Sequence, residues 1–209
     1  MNSLGWPVVL TDGVVRLRPY KRSDAYDWTE VRIANESWLA PWEPTPPGSW
    51  RECNTPSVFR QVYREQRRAA RKGEAMPFAV CLLEQGRERY VGHLNLGNIV
   101  GRAFCSAYAG YWLDARAAGH GVMPTALALA VDHAFRVAGL HRIEVNIRPE
   151  NMPSRRVVEK LGFREEAYHQ RYLFINGGWR DHIGYALTSE EVEDEGGLLA
   201  RWHRRAAMR

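Results

Sequence analysis

The sequence predicts an α/β fold with a mixed central β-sheet flanked by helices, and three observations carry that expectation. Strand-like and helix-like runs follow one another in the order β-α-α-β-β-β-α-β-α-β-β. The early strands are separated by tight turns, as antiparallel strands are, whereas residues 103–147 read as strand, helix, strand, the crossover that a parallel pair requires. The 209 residues, 45% of them hydrophobic and 25% charged, suit one domain with a sizeable core.

The elements follow in order. "VVRLRPY" (14–20) alternates as a half-buried strand, and Ser23 is placed to cap a helix over "DAYDWTEVRIA". "NESWLAPWEPTPPGSW" (35–50) has four prolines in sixteen residues, which forbids a long helix. Its Trp38, Trp42 and Trp50 are costly to leave in water, so the stretch is either a connection with buried anchors or a loop facing a substrate. Ser57 is placed to cap a second helix ending at Lys72, with Gly73 at its C′ position. "PFAVCLLE" and "RYVGHLNLGNI" read as strands joined at Gln85–Gly86, and a further strand covers 103–113. Pro124 stands in the first turn of a helix reaching about Ala138 and ended by Gly139. "HRIEVNI" (141–147) is a strand, and Met152–Leu161 a short helix stopped by Gly162. "NGG" (176–178) turns a last hairpin. The domain is expected to span 1–209, with a core of about 10–188 and a helical tail, 189–209, packed through Leu198, Leu199 and Trp202.

Composition excludes several classes. No apolar run approaches the ~20 residues of a membrane span, and the start lacks the pattern of a signal peptide, so a cytoplasmic protein is expected. Cys53, Cys81 and Cys105 fit neither a disulfide framework nor a zinc pair, and Cys81 and Cys105, in strand-like runs, read as small core residues. The seven histidines show no ligand spacing, so no metal is expected. The basic residues behind the net charge of +5 cluster in 60–73 and at the C-terminus, as solvated helix faces or as weak attraction to an anionic partner, whether a cofactor phosphate or RNA.

Chemistry concentrates at "RAAGHGVM" (116–123), between a strand and a helix. A helix N-terminus carries unpaired N–H donors and partial positive charge, and glycines at 119 and 121 would let a diphosphate approach them, with Arg116 adding charge at the mouth. The short Gly-rich turn alone is equally compatible with a tight turn that binds nothing. It lacks the Lys-Ser/Thr ending of a P-loop and the third glycine of a dinucleotide fingerprint.

The pattern R-x-x-G-x-G, followed by Asn151, Ser154, Lys160, Gly162 and Phe163 in the arrangement N-x-x-S-x-x-x-x-x-K-x-G-F, resembles the two signatures of the GNAT N-acetyltransferase superfamily. "WLAPWEP" (38–44), the strand region 90–113 and "YLFINGGWRDH" (172–182) are similar to RimJ-type ribosomal-protein-alanine N-acetyltransferases over nearly the whole chain. The resemblance implies a GNAT fold and acetyl-CoA as co-substrate. Its diphosphate would be bound at Arg116, Gly119, His120, Gly121, Val122 and Met123, and its pantetheine arm along Tyr111, Trp112 and Leu113 and near Asn151. The implied acceptor is a protein N-terminal α-amine, that of an alanine of a small-subunit ribosomal protein. The alternatives are a small amine such as an aminoglycoside or polyamine, or a non-catalytic scaffold binding CoA or RNA.

Direct attack on the thioester requires a neutral amine. An α-amine, with a pKa near 7.7–8.0 against ~10.4 for lysine, is the easier of the two by roughly 3.5 kcal/mol. Where related enzymes carry a glutamate entering the last hairpin, this chain offers Leu173. Glu43 is therefore the expected base, its alternative being a loop carboxylate that caps a turn. Ser154 is the expected donor to the leaving sulfur, its alternative a helix cap. His93 and Glu144 stand on strands as further candidates that read better as structural residues. Asp181 and His182 face opposite sides of a strand, Asp181 being expected to pair with an arginine.

Overall fold

The computed structural model describes residues 4–208, so the first and last residues of the expected 1–209 domain, Arg209 of the basic tail among them, lie outside the described residues. Eight strands form one sheet: β1 (Leu10–Asp12), β2 (Val15–Pro19), β3 (Met76–Glu84), β4 (Arg87–Val100), β5 (Ser106–Leu113), β6 (Arg142–Ile147), β7 (Arg164–Ile175) and β8 (Gly178–Thr188). Their spatial order is β1-β2-β3-β4-β5-β6-β8-β7. Only β5 and β6 run parallel, joined by the expected crossover. The helices are α1 (Ala25–Ala34), α2 (Glu36–Leu39), α3 (Trp50–Cys53), α4 (Pro56–Lys72), α5 (Val122–Arg136), α6 (Met152–Leu161), α7 (Glu190–Glu193) and α8 (Leu198–Ala207).

Both faces of the central strands are apolar and covered. On one, Leu94, Leu96, Val145 and Ile147 join Leu127 of α5, Val158 and Leu161 of α6 and Trp202 of α8. On the other, Tyr90 and Trp112 join Trp28 of α1 and Phe59 of α4. Turn chemistry sets the hairpins: Gln85–Gly86 and Asn176–Gly177 both have positive φ at two successive residues, which is the geometry of a two-residue hairpin turn.

Local expectations needed four corrections. A three-residue strand, β1, pairs with β2 through a turn at Gly13 and adds a strand too short to show periodicity. Ser23 does not cap α1, because residues 22–24 form a 3-10 turn in which Asp24 is buried and accepts two 2.8 Å bonds from Arg18. Thr55, not Ser57, caps α4, since Pro56 occupies the first helical position and the Thr55 hydroxyl accepts the Val58 N–H. Cys81 is a core residue, but Cys105 is only half buried, in the loop before β5 with positive φ.

Candidate functional site

β5 and β6 are paired only from Ser106 to Tyr108 against Arg142 to Glu144; beyond that they diverge. The backbone of Ala109–Leu113 therefore has a strand partner on the β4 side alone. A cleft of about 800 Å³ runs through this gap, lined from β5 by Ala109–Leu113 and from β6 by Val145–Ile147. An exposed length of strand edge inside a cleft can pair with the amide groups of an extended ligand. Trp38 already uses one carbonyl there, its indole donating to Leu113 O at 3.1 Å.

At the C-terminal end of β5 the chain turns through Gly119 and Gly121, both with positive φ, into α5. The backbone N–H groups of residues 119–123 have no acceptor among the described residues. A Cβ on Gly119 would meet nothing within 4 Å, whereas one on Gly121 would stand 3.3 Å from the Trp202 ring. Gly119 thus keeps a bare approach to the donors, and Gly121 accommodates the tail helix that buttresses them. Trp202 is fixed in turn by its indole N–H, which donates to Thr125 Oγ1 at 2.9 Å. Unpaired amides converging at a helix N-terminus fit a diphosphate, and the divergent strand edge beside them fits the arm of acetyl-CoA.

On the α5–α6 face of the gap, Ser154 Oγ donates to Tyr111 OH at 3.0 Å and Tyr111 OH to Ser154 O at 3.2 Å. Burial pushes the Tyr111 phenol well above its ordinary value, so it remains a neutral donor. Asn151 is the helix cap, its side chain accepting the Ser154 N–H, so the capping alternative for Ser154 passes to Asn151.

The α1–α4 face is walled by the proline- and tryptophan-rich loop. That loop is tied to the last hairpin by Asn176 N–H on Glu43 O, by Gly177 N–H on Thr45 Oγ1 at 2.7 Å, and by a bridge between Pro44 and Ile175. Glu43 lies in the cleft wall, but both its oxygens accept from the Arg32 guanidinium. Arg32 is 7% exposed and held by Asn54 Oδ1 at 2.7 Å and by the Trp28, Trp50 and Trp112 rings. Both Glu43 oxygens are thus occupied by the Arg32 fork, which braces the loop, so a role as base would require this pair to part.

Arg116 is also relocated. Its guanidinium binds the wholly buried Asp114 carboxylate, at 2.7 Å for Nη2, and lies against a separate hollow between α1 and the β3–β4 hairpin. A buried carboxylate needs such a partner, so Arg116 is committed to Asp114 rather than to a phosphate. His120 is exposed and brings only its backbone to the cradle. Asp181 does not pair with an arginine side chain; it accepts Tyr168 OH and the Arg171 N–H, both at 2.7 Å, on the outer side of the hairpin. His182, facing the other way, is buried and lines the cleft. His93 lines it too, while Glu144 pairs with Arg142 at 2.7 Å. Sequence reasoning missed Arg32, Asn95 and Asn146. The alternation in "HLNL" (93–96) was the available signal for Asn95, since it sets two polar side chains on one face between buried leucines.

Comparison with known proteins gives a consistent result. Residues 15–164 match the family model described as an acetyltransferase (GNAT) domain. The chain is 32% identical to the [ribosomal protein uS5]-alanine N-acetyltransferase of Escherichia coli over 184 residues, 88% of this chain and 92% of that one. Among solved structures, Mycobacterium smegmatis RimJ in complex with CoA-disulfide superposes with a TM-score of 0.91 at 38% identity, covering 97% of this chain and 96% of that one. The ribosomal-protein-alanine acetyltransferase of Vibrio fischeri gives 0.78 at 29% identity, covering 88% and 98%.

Proposed function

This chain belongs to the GNAT acetyltransferase family and takes acetyl-CoA as its acyl donor, and from that premise we propose that it acetylates the N-terminal α-amine of a protein, an alanine of a small-subunit ribosomal protein. One observation carries the choice of acceptor: Glu43 is the only carboxylate lining the cleft among the described residues, and Arg32 neutralises it. A polyamine or aminoglycoside brings several positive charges and needs several carboxylates. A peptide N-terminus brings one charge, with a pKa near 7.7–8.0, and apolar residues that suit the Trp38, Trp42 and Leu173 walls.

The amides of Gly119–Met123 hold the diphosphate and the β5 edge the arm, so that the thioester sits in the gap between the strands. Acetyl-CoA supplies an activated acetyl carbonyl. Turning one hydrogen of the Ser154–Tyr111 hydroxyl pair away from its present partner lets the pair donate to the negative charge that develops on the leaving sulfur. A ribosomal acceptor implies work in the cytoplasm; no helix among the described residues is long and apolar enough to cross a membrane. The exposed arginines of α4, Arg60, Arg64, Arg67 and Arg71, recur on one side of that helix and give a weak electrostatic attraction to the ribosome.

The test is thiol release from acetyl-CoA with peptides beginning in Ala, Ser, Met or acetyl-blocked Ala, beside spermidine and an aminoglycoside. Turnover with free N-terminal Ala, abolished by blocking, is the predicted result. Turnover with the polycations alone would overturn the acceptor reading, and acetyl-CoA binding with no acceptor used would favour a scaffold.

A further inference from the structure

We propose that the α1–α4 face of the strand gap is an acceptor-amine subsite in which Asn95 and Asn146 hold the acceptor's terminal peptide unit and His182 Nε2 takes the proton of its amine. The proposal rests on the acceptor reading above and assigns its chemistry to residues.

Strand register places these groups together. On β4, His93 is paired with Trp112 and Asn95 with Gly110, and Trp112 packs with the α1–α4 cluster, so all four positions share that face. On β6, Asn146 is paired with Gly184 of β8, two residues beyond His182. The three side chains therefore line one cleft from both sides of the gap, with Asn146 and His182 diagonal neighbours about 7–8 Å apart in backbone. Tyr111 and Ser154 stand on the opposite face. The acceptor side and the leaving-group side are thus separated by the thickness of the sheet.

Asn95 Oδ1 and Asn146 Oδ1 are buried and accept no hydrogen bond from a described residue. Leaving those two buried oxygens unpaired is costly, and a terminal peptide unit supplies donors for them in its amine and amide N–H groups. Glycines make the room. A Cβ on Gly110 would enter open space above the gap, and one on Gly184 would come within 3.3 Å of Asn146 Oδ1 and 2.9 Å of His169 Nε2.

His182 is prepared as a base by its backbone contact. Its Nδ1 lies 3.0 Å from Arg180 O, and a carbonyl only accepts, so Nδ1 carries the hydrogen and Nε2 keeps its lone pair. No described residue engages Nε2. Burial lowers the imidazole from its ordinary value; Arg148 and His169 act in the same direction, and Glu150 opposes them. The Tyr172 ring packs edge-on against it, and just past β6 Arg148 is occupied by Pro41 O and the Trp42 ring. His93 is the weaker candidate, because burial takes it down to about 4 and its Nδ1 is shared by Tyr20 OH and Phe78 O.

The proton balance is complete. The ammonium gives one proton to His182 Nε2, which passes it to solvent. The freed nitrogen lone pair forms the N–C bond to the acetyl carbonyl carbon, and the C–S bond breaks with its electron pair on sulfur. The second proton leaves nitrogen by the same route, and the sulfur takes a proton through the Ser154–Tyr111 pair, which solvent replenishes. The products are the acetamide and the free thiol of CoA.

The experiment measures kcat and KM of the full chain with acetyl-CoA and an N-terminal Ala peptide from pH 6 to 9, for wild type, His182→Gln, Asn95→Ala and Asn146→Ala. Acetyl-CoA affinity is read by calorimetry and folding by thermal melting, with His182→Phe as a second variant that keeps the ring packing. At pH 6.5 the loss of His182 lowers kcat by about 10²–10⁴-fold, and the gap narrows toward pH 9 as the amine loses its proton to solvent. A purely structural role would show no such convergence. Each asparagine variant raises the peptide KM about tenfold, the size of one hydrogen bond to a charged group, with acetyl-CoA affinity unchanged. Wild-type kcat at every pH in folded His182 variants, or unchanged KM in both asparagine variants, overturns the subsite. Should wild type act on spermidine and not on the peptide, the N-terminal reading fails. The same variants tested with spermidine then decide the subsite separately: the same losses support it, and their absence overturns it.

Discussion

Arg32 on α1 holds Glu43 of the proline-rich loop through two parallel N–H···O bonds, with its guanidinium packed among three tryptophan rings. The pair joins a helix to a loop whose other side is bonded to the β7–β8 hairpin, so one buried contact fixes the proline-rich wall of the cleft. Glu43→Gln keeps the shape but leaves the arginine charge without its partner. The expected cost is about 3 kcal/mol, the low end for breaking a buried pair because Glu43 keeps 24% side-chain exposure. Arg32→Lys loses the planar fork and the ring stacking together and is expected to fare no better. Chemical denaturation measures both. A rise in acceptor KM with little change in the pH dependence of kcat would mark Glu43 as a brace; loss of the acidic limb would restore it as the base.

The two cradle glycines should respond differently to alanine. Both have positive φ, which costs a non-glycine residue about 1–2 kcal/mol. Gly119→Ala adds a methyl into open space and should mainly weaken CoA binding, by blocking the approach to the amides. Gly121→Ala also crowds Trp202, so it should lower the melting temperature further. Calorimetry with CoA beside thermal melting separates the two effects.

Much of this cradle was legible in the sequence, because glycines at 119 and 121 and the stretch Asn151–Phe163 are local signals whose spacing survives folding. The helix at Met152–Leu161 and the Asn176–Gly177 turn were legible for the same reason. What escaped depends on distance in space. Nothing local says that Arg32 reaches Glu43, or that Arg116 turns back to a buried Asp114 instead of toward a phosphate. The gap between β5 and β6 is a property of register, invisible in either strand alone, and Asn95 and Asn146 gain meaning only once it opens. β1 was too short to carry a period.

Ser154 and Tyr111 form one unit, each hydroxyl bonded to the other residue. Ser154→Ala and Tyr111→Phe should each lower kcat by about 10–100-fold, the range of one donor lost to developing charge. The double variant should be little worse than either single one, since coupled residues are not additive. Single-turnover kinetics at saturating acetyl-CoA measures this, and additive losses would separate their roles.

Stability should fall with pH in two windows. Burial, with the Arg32 charge nearby, holds the His93 imidazole at about 4, below its ordinary 6.5. The folded chain then binds fewer protons than the unfolded chain between those values, so this stability is complete above pH 6.5 and is lost as pH falls to 4. Glu88 is opposed by burial, but bonds from Arg16, Arg18 and Lys21 bring it to about 2, so its share is lost only as pH falls from about 4.5 toward 2. His93→Gln should flatten the upper window without abolishing it, because His182 acts in the same direction there. Glu88→Gln should affect the lower one. Melting temperatures from pH 3 to 8 test the assignment.

The most direct test of acetyl transfer to a protein N-terminus is the position of the acetyl group. A peptide beginning in Ala and containing an internal lysine is incubated with the enzyme and acetyl-CoA, and the product is mapped by tandem mass spectrometry. The α-amine alone should be acetylated, at a rate that falls to background when it is blocked beforehand. Acetyl on the lysine side chain, or undiminished turnover of the blocked peptide, would contradict the account.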